Sequence, residues 1–328
     1  MEGLLLAAAA VIVTFNSENV IGDCLESLGK MAPTMMPLIV DNASQDRTLE
    51  MVTTRSRSAA GTRPAPVVVA NRENRGFAAA VNQGFRVAEE RISAEFILLL
   101  NPDVRLQTPV DDLIDAAREH GLAAGKLVSD NGRVQTGFTI RRFPTPTTFA
   151  FEMFGINRLW PSNPINRRYR YLDRNLDEAG PVDQPAGAFL MVRRDAWDQL
   201  AGFDESFYPV WFEDVDFCAR AAAAGFQTQY VPSAVAMHVG GHSVLQLPVG
   251  CRVIYWCASL LRYAKKHFGL RGYRGTATVV LLSSAPRMLA GVVQERSFKP
   301  VATYLRVIRL AMLCLTSRGN AAPGVSEN

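Results

Sequence analysis

The sequence predicts an α/β protein with a mostly parallel central sheet, helices on both faces and amphipathic helices at the C-terminus. Three observations predict it. Short β-branched runs alternate with amphipathic segments through the N-terminal third. Polar clusters stand just past successive strands. Apolar residues make up 48% of the 328, enough for a sizeable core.

The elements follow in order. The opening MEGLLLAAAAVIVTF has Glu2 where a leader peptide would carry a basic residue, and its apolar run leads into VIVTFNS. Residues 11–14 therefore read as the first strand. Over 17–30, Val20, Ile21, Cys24, Leu25 and Leu28 recur three and four apart, the spacing of an amphipathic helix. Strands follow at 37–40, 66–70 and 96–100, with helices at 48–54 and 77–91. Residues 143–171 mix Pro, Asn and aromatics and read as a long loop with short helices. A strand is expected at 188–192 and a helix at 211–224, opened by three carboxylates and ended by Gly225. A short strand at 227–231 precedes a loop carrying His238, and amphipathic helices run from 252–268 onward. No run of 18 or more apolar residues appears, so no spanning helix is expected.

In a doubly wound sheet, ligands gather outside the carboxyl ends of the strands. Thr14-Phe15-Asn16, Asp41-Asn42, Asn71-Arg72 and Asn101-Pro102-Asp103 each follow a strand. Singly, each reads as a turn or helix cap. Together they read as one binding crevice. There is no G-x-G-x-x-G after the first strand and no G-x-x-x-x-G-K-[ST], against a dinucleotide dehydrogenase or P-loop enzyme.

Cys24, Cys218, Cys251, Cys257 and Cys314 are scattered and form no C-x-x-C pair, so they read as reduced thiols in a cytosolic compartment. The net charge of +4 hides an asymmetry: residues 250–328 carry twelve Lys/Arg against two acids, and the remainder 23 basic against 29 acidic groups. A basic tail implies an anionic partner. Arg252, Arg262, Lys265, Lys266 and Arg271 lie among aromatic and aliphatic residues, which suits an anionic membrane surface. No nucleic-acid-binding motif accompanies the charge, so nucleic acid is not an expected partner.

The segments VIVTFNSENVIGDCLESL, LIVDNASQDRT, NRENRGFAAAVNQGF, FILLLNPDV, GAFLMVRRDAW, GFDESFYPVWFEDVDFCAR and HVGGHS resemble, in order, those of the family 2 glycosyltransferases, in particular the bacterial rhamnosyltransferase-like branch. The resemblance spans roughly residues 10–243. It implies a GT-A (Rossmann-like) fold over 1–249, with 10–105 a nucleotide-sugar half and 106–249 an acceptor half, and a basic helical extension over 250–328. It further implies an inverting transfer from a nucleotide-diphosphate sugar, dTDP-rhamnose on the subfamily likeness, assisted by Mg2+ or Mn2+. The implied acceptor is a saccharide or a polyprenyl-diphosphate-linked sugar, and the implied location is cytoplasmic, peripheral at the inner face of the cell membrane.

Site residues follow from the same resemblance. Thr14, Asn16, Asp41 and Asn42 fall at the base and ribose end of the donor, and Arg75 at the diphosphate. Asn101-Pro102-Asp103 stands where the family has a D-x-D-like motif, so Asp103 is a metal ligand, while Asn101 departs from the usual first Asp. Glu213-Asp214-Val215-Asp216 resembles the family's E-D-x-D segment, with Asp214 the general base. Glu213 is an acceptor contact or an N-terminal cap. Asp216 stands four residues before Arg220, an ion-pair spacing. The helix N-terminus favours ionised Asp214, so neighbouring carboxylates are needed to keep it basic. His238, with His242 as the alternative, is a metal or diphosphate ligand. Gly187 leaves room for the donor sugar or acceptor. The alternative reading is a catalytically decayed nucleotide-sugar-binding module, for which Asn101 speaks.

Overall fold

The computed structural model describes residues 8–58 and 64–316. The expected alternation is present: β1 (Ala8–Thr14), α1 (Ile21–Met31), β2 (Met36–Asp41), α2 (Thr48–Ser58), β3 (Val67–Ala70), α3 (Phe77–Ile92) and β4 (Phe96–Leu100). Then come β5 (Val104–Leu106), α4 (Asp111–His120), β6 (Gly121–Val128), β7 (Ile140–Arg141), α5 (Pro146–Met153), α6 (Ile156–Leu159) and α7 (Pro164–Tyr169). After these lie β8 (Gly180–Val182), β9 (Gln184–Pro185), β10 (Phe189–Arg193), α8 (Arg194–Gln199), α9 (Glu213–Ala223) and β11 (Gln227–His238). The chain closes on α10 (His242–Leu245), α11 (Val249–His267), α12 (Gly269–Glu295) and α13 (Lys299–Thr316).

Two compact units form. One comprises residues up to 142, 174–206 and 213–243; the other comprises 143–173, 207–212 and 244 onward. The first unit holds a sheet ordered β3-β2-β1-β4-β10-β6-β11-β5, with β8 pairing β11. β1 pairs in parallel with β2 and β4, as β2 does with β3 and β6 with β11. β10 runs antiparallel between β4 and β6. All five residues of β4 are buried because both its faces are covered. Ile12, Ile39, Leu98 and Met191 continue that core across neighbouring strands.

The last strand corrects an expectation. Instead of ending near residue 231, β11 runs to His238, absorbing Pro232 at a register shift between Val231 and Val235. His238 is therefore the end of a strand paired with Val104, not part of a loop.

In the second unit, the Pro- and Asn-rich stretch forms short helices with local starts. Thr145 accepts from Thr148 N–H ahead of Pro146, and Asn163 accepts from Asn166 N–H ahead of Pro164. α12 is a 27-residue helix. Among the described residues it alone is long and apolar enough to cross a membrane by length and composition, with a mean hydropathy of 1.4 over an eighteen-residue window. Ser283, Ser284, Pro286 and Arg287 interrupt its apolar run, so a search for unbroken runs passes over it.

Candidate active site

The site is assembled at the carboxyl ends of β1, β2 and β4. Thr14 and Asp41, the last residues of adjacent parallel strands, pair in register. Both are buried, and Thr14 Oγ1 donates to Asp41 Oδ1 at 2.8 Å. Ser44 adds its hydroxyl to the same oxygen and its N–H to Oδ2. Asn16, at φ 47°, takes Gln45 N–H on its Oδ1 and gives its own N–H to Ser44 Oγ. These bonds hold the β1 and β2 loops as one rigid rim.

Both ends of the Asn42 amide are engaged within the protein. Its Nδ2 donates to Asn74 Oδ1 and to the Gly76 carbonyl, and its Oδ1 accepts from Asn71 Nδ2 and Arg75 N–H. It ties the 71–76 loop to β2. That leaves the Arg75 side chain exposed at the rim.

β4 ends in a tight turn. Val104 N–H donates to the Asn101 carbonyl at 3.1 Å around Pro102, and Asn101 N–H donates to the Ala188 carbonyl at 3.0 Å. Asp103 is buried, and its Oδ2 accepts from Gly240 N–H at 3.1 Å. Across from it stands His238, whose Nε2 lies 3.5 Å from Asp103 Oδ1 and has no hydrogen-bond partner. Gln135 Nε2 donates to the His238 carbonyl at 2.7 Å, which orients its amide, so Gln135 Oε1 accepts from His238 Nδ1–H at 3.0 Å. The proton therefore sits on Nδ1 and a bare lone pair on Nε2 faces the carboxylate. Burial pushes His238 below the ordinary histidine range, against the pull of Asp103. Phe138 stacks on the imidazole, with ring centroids 5.1 Å apart.

A buried lone pair and a carboxylate oxygen facing one another form a donor set that fits a divalent cation. Among the described residues, no group of three or more His, Cys, Asp and Glu gathers at one point. A cation held by this pair would complete its shell with ligand oxygens and water. The His242 side chain lies outside the described residues.

The second carboxylate cluster begins α9. Asp214 Oδ2 accepts from Gly187 N–H at 3.0 Å, and Oδ1 from Val215 N–H at 2.8 Å. A Cβ on Gly187 would stand 3.1 Å from Asp214 Cβ and 3.3 Å from Oδ2. The absence of a side chain at Gly187 lets the Asp214 carboxylate approach its backbone. Phe189 is in register with Leu100, so Gly187, just before β10, lies at the same sheet end as Asn101 to Asp103. The two carboxylates, more than a hundred residues apart in sequence, share one rim.

Their environments differ. Burial pushes Asp214 above the ordinary aspartate range, and the Arg141 guanidinium and the two N–H groups offset part of the rise. The helix N-terminus, expected to keep Asp214 acidic, is outweighed by desolvation. Glu213 is buried and its Oε2 has no partner; burial and then Asp214 push it well above the glutamate range. Asp216 is wholly buried and receives Arg220 Nε at 2.8 Å, while the same guanidinium donates to the Leu200 and Gly202 carbonyls. That is the ion pair its spacing suggested, and it anchors the helix.

Gln135, Phe138 and Arg141 carry no motif and escape sequence reasoning. Arg141 lies over the Phe138 ring, 5.8 Å from its centroid, and feels Asp214 electrostatically. The irregular chain after β6 delivers Gln135 and Phe138, and β7 delivers Arg141.

Residues 9–200 match the profile described as Glycosyl transferase family 2, and residues 171–316 match Glycosyl transferase family group 2. An N-acetylglucosaminyl-diphospho-decaprenol L-rhamnosyltransferase of Mycobacterium tuberculosis is 29% identical over 243 residues, which cover 71% of this chain and 75% of that protein. A rhamnosyltransferase of Escherichia coli strain K12 is 29% identical over 168 residues, covering 49% and 57%. Among solved structures, GalNAc-T7 with UDP, GalNAc and Mn2+ superposes with a TM-score of 0.55 at 16% identity, covering 71% of this chain and 43% of that one. The mannosyltransferase PcManGT of Pyrobaculum calidifontis, in complex with GDP-Man and Mn2+, gives 0.53 at 15% identity, covering 94% and 87%. These likenesses show the GT-A fold, and the family profile takes in more than half of the residues: the chain is a glycosyltransferase belonging to glycosyl transferase family 2.

Proposed function

We propose that this enzyme transfers a sugar, rhamnose from dTDP-rhamnose, with inversion onto a saccharide carried on a polyprenyl diphosphate, while held peripherally at the inner face of the cell membrane. The observation that carries the reading is the shared rim. Asp103, on the turn after β4, and Asp214, anchored by Gly187 before β10, stand at one sheet end. The two rhamnosyltransferase relatives support the sugar, and the decaprenol-linked substrate in the name of one supports the acceptor.

The residues divide the work. Asp41, held by Thr14 and Ser44, keeps lone pairs to accept from the ribose or base, with Asn16 beside it. Exposed Arg75 reaches the diphosphate as a charged donor. Asp103 and His238 hold the divalent ion. The nitrogen ligand favours Mn2+ over Mg2+, which prefers oxygen. When bound, the ion supplies positive charge against the departing diphosphate. Asp214 takes the proton of the acceptor hydroxyl as that oxygen bonds to the anomeric carbon from the face opposite the diphosphate. The bond to the phosphate oxygen breaks and its electron pair leaves with the nucleoside diphosphate. Glu213, which burial and then Asp214 push well above the glutamate range, is an acceptor contact next to the base.

Asp214→Asn tests the assignment. Transfer is expected to fall by about 100- to 10,000-fold, the share of a general base, while donor binding by calorimetry stays unchanged. Full turnover by the variant would remove the base. Donor binding by the wild type without transfer to any lipid-linked acceptor would favour a decayed binding module.

A further inference from the structure

Helix α12 buries hydroxyls beside Tyr273, Ala277 and Val280 and leaves its largest aliphatic side chains exposed. Thr276, Ser283 and Ser284 are fully buried, with hydroxyls given to the Gly272 and Val280 carbonyls. Arg287 is the only charged residue between Gly275 and Gln294. It turns inward, donating from Nε to the Met153 carbonyl at 2.7 Å and from Nη2 to the Glu152 carbonyl at 2.8 Å. Outward stand Leu282, Leu289 and Val293, 61%, 64% and 76% exposed, and just past the helix Phe298 at 82%. Spacings of seven and four put the first three on one stripe. Water-soluble helices rarely leave such a run of large aliphatic side chains exposed.

Charge identifies what covers the stripe. Arg271 and Arg274 are exposed at the start of α12, on the same stripe by their spacing to Leu282. Residues 269–316 hold seven Lys/Arg and one acid, Glu295. Arg306 and Arg309 are exposed along α13, which packs beside α12, so immersing the pair across a hydrocarbon core would bury both cations at high cost. The arrangement suits one leaflet, with apolar side chains below the headgroups and arginines at the phosphates.

We propose that Leu282, Leu289, Val293 and Phe298 rest among the acyl chains of one leaflet of an anionic bilayer, with Arg271 and Arg274 against lipid phosphates. This rests on the peripheral membrane location in the reading above and names the surface that provides it. The test is flotation of the full chain with vesicles of phosphatidylcholine alone and of an equal mixture with phosphatidylglycerol. Wild type is expected to float with the mixed vesicles. Leu282→Ser/Leu289→Ser/Val293→Ser should lower partitioning about a hundredfold without lowering Tm, since these side chains are exposed. Arg271→Gln/Arg274→Gln should lower binding to mixed vesicles about thirtyfold and leave the neutral ones unaffected. If the wild type floats and the serine variant floats equally, the surface is wrong while the membrane location stands. If the wild type floats with neither vesicle, both fall. A wild-type dimer that the serine variant turns into a monomer, with vesicle binding unchanged, would give the stripe to a second copy and overturn the proposal.

Discussion

Gln135 grips His238 at two points, its amide N–H on the histidine's own carbonyl and its amide oxygen on Nδ1–H. The first bond decides which way the amide faces, and the second then decides the tautomer. The Nε2 lone pair is thereby aimed at Asp103. Partners of this kind set the basicity and aim of a histidine ligand. Gln135→Met keeps the length and loses both bonds. Its affinity for Mn2+ is expected to fall about 10- to 100-fold by calorimetry; an unchanged affinity would show that the grip is irrelevant to metal binding.

Asp214 accepts a proton only when ionised, and its folded pKa lies above the ordinary aspartate range. Transfer should therefore fall as pH drops through that raised value, at a higher pH than an ordinary aspartate would give. The Arg141 guanidinium does most to hold the rise down. Arg141→Met removes it, so the acidic limb of the kcat profile should move to higher pH. A limb that stays in place would detach Arg141 from the base.

Glu213 bears on stability with a definite sign. Its folded pKa is raised well above the unfolded value, by burial first and Asp214 second. The folded state thus favours the protonated form. The resulting penalty is absent below the unfolded pKa of about 4.3 and grows as pH rises toward the folded value. Glu213→Gln removes the titration. The variant should melt a few degrees above wild type at neutral pH, with the gain vanishing at acidic pH. A variant that melts lower at neutral pH would mean that the carboxylate is compensated in the folded protein.

The alternation from β1 to β4 was legible because each strand is β-branched or leucine-rich and each helix repeats its apolar residues three and four apart. β6 was not, although it lies inside the sheet. Its GLAAGKLV carries little strand propensity, and Gly125 is there for space: a Cβ would come 2.1 Å from the Phe189 ring and 2.6 Å from the Ala234 carbonyl. Asp103 and Asp214 were legible by resemblance, being carboxylates at an element's end. Gln135 and Arg141 gave no signal, because their roles arise only when an irregular connection folds back beside β11 and α9. The saturation of Asn42 was hidden for the same reason, since its four partners come from residues 71–76.

Gly187 offers the sharpest test of the site's geometry. Its N–H holds Asp214 Oδ2, and the absence of a side chain lets the carboxylate approach. An alanine keeps the N–H but places a methyl 3.1 Å from Asp214 Cβ, closer than ordinary van der Waals contact. Since Gly187 has no positive φ, the backbone accepts the substitution and strain falls on the carboxylate. Overpacking of this size costs about 1–3 kcal/mol when it must be absorbed, and a displaced base loses rate steeply with small misplacement. Gly187→Ala should therefore lower kcat by about 100-fold while Tm falls by only a few degrees and donor affinity is retained. A variant with wild-type kcat would show that Asp214 need not sit against Gly187 for transfer, and that the base is held, or supplied, from elsewhere.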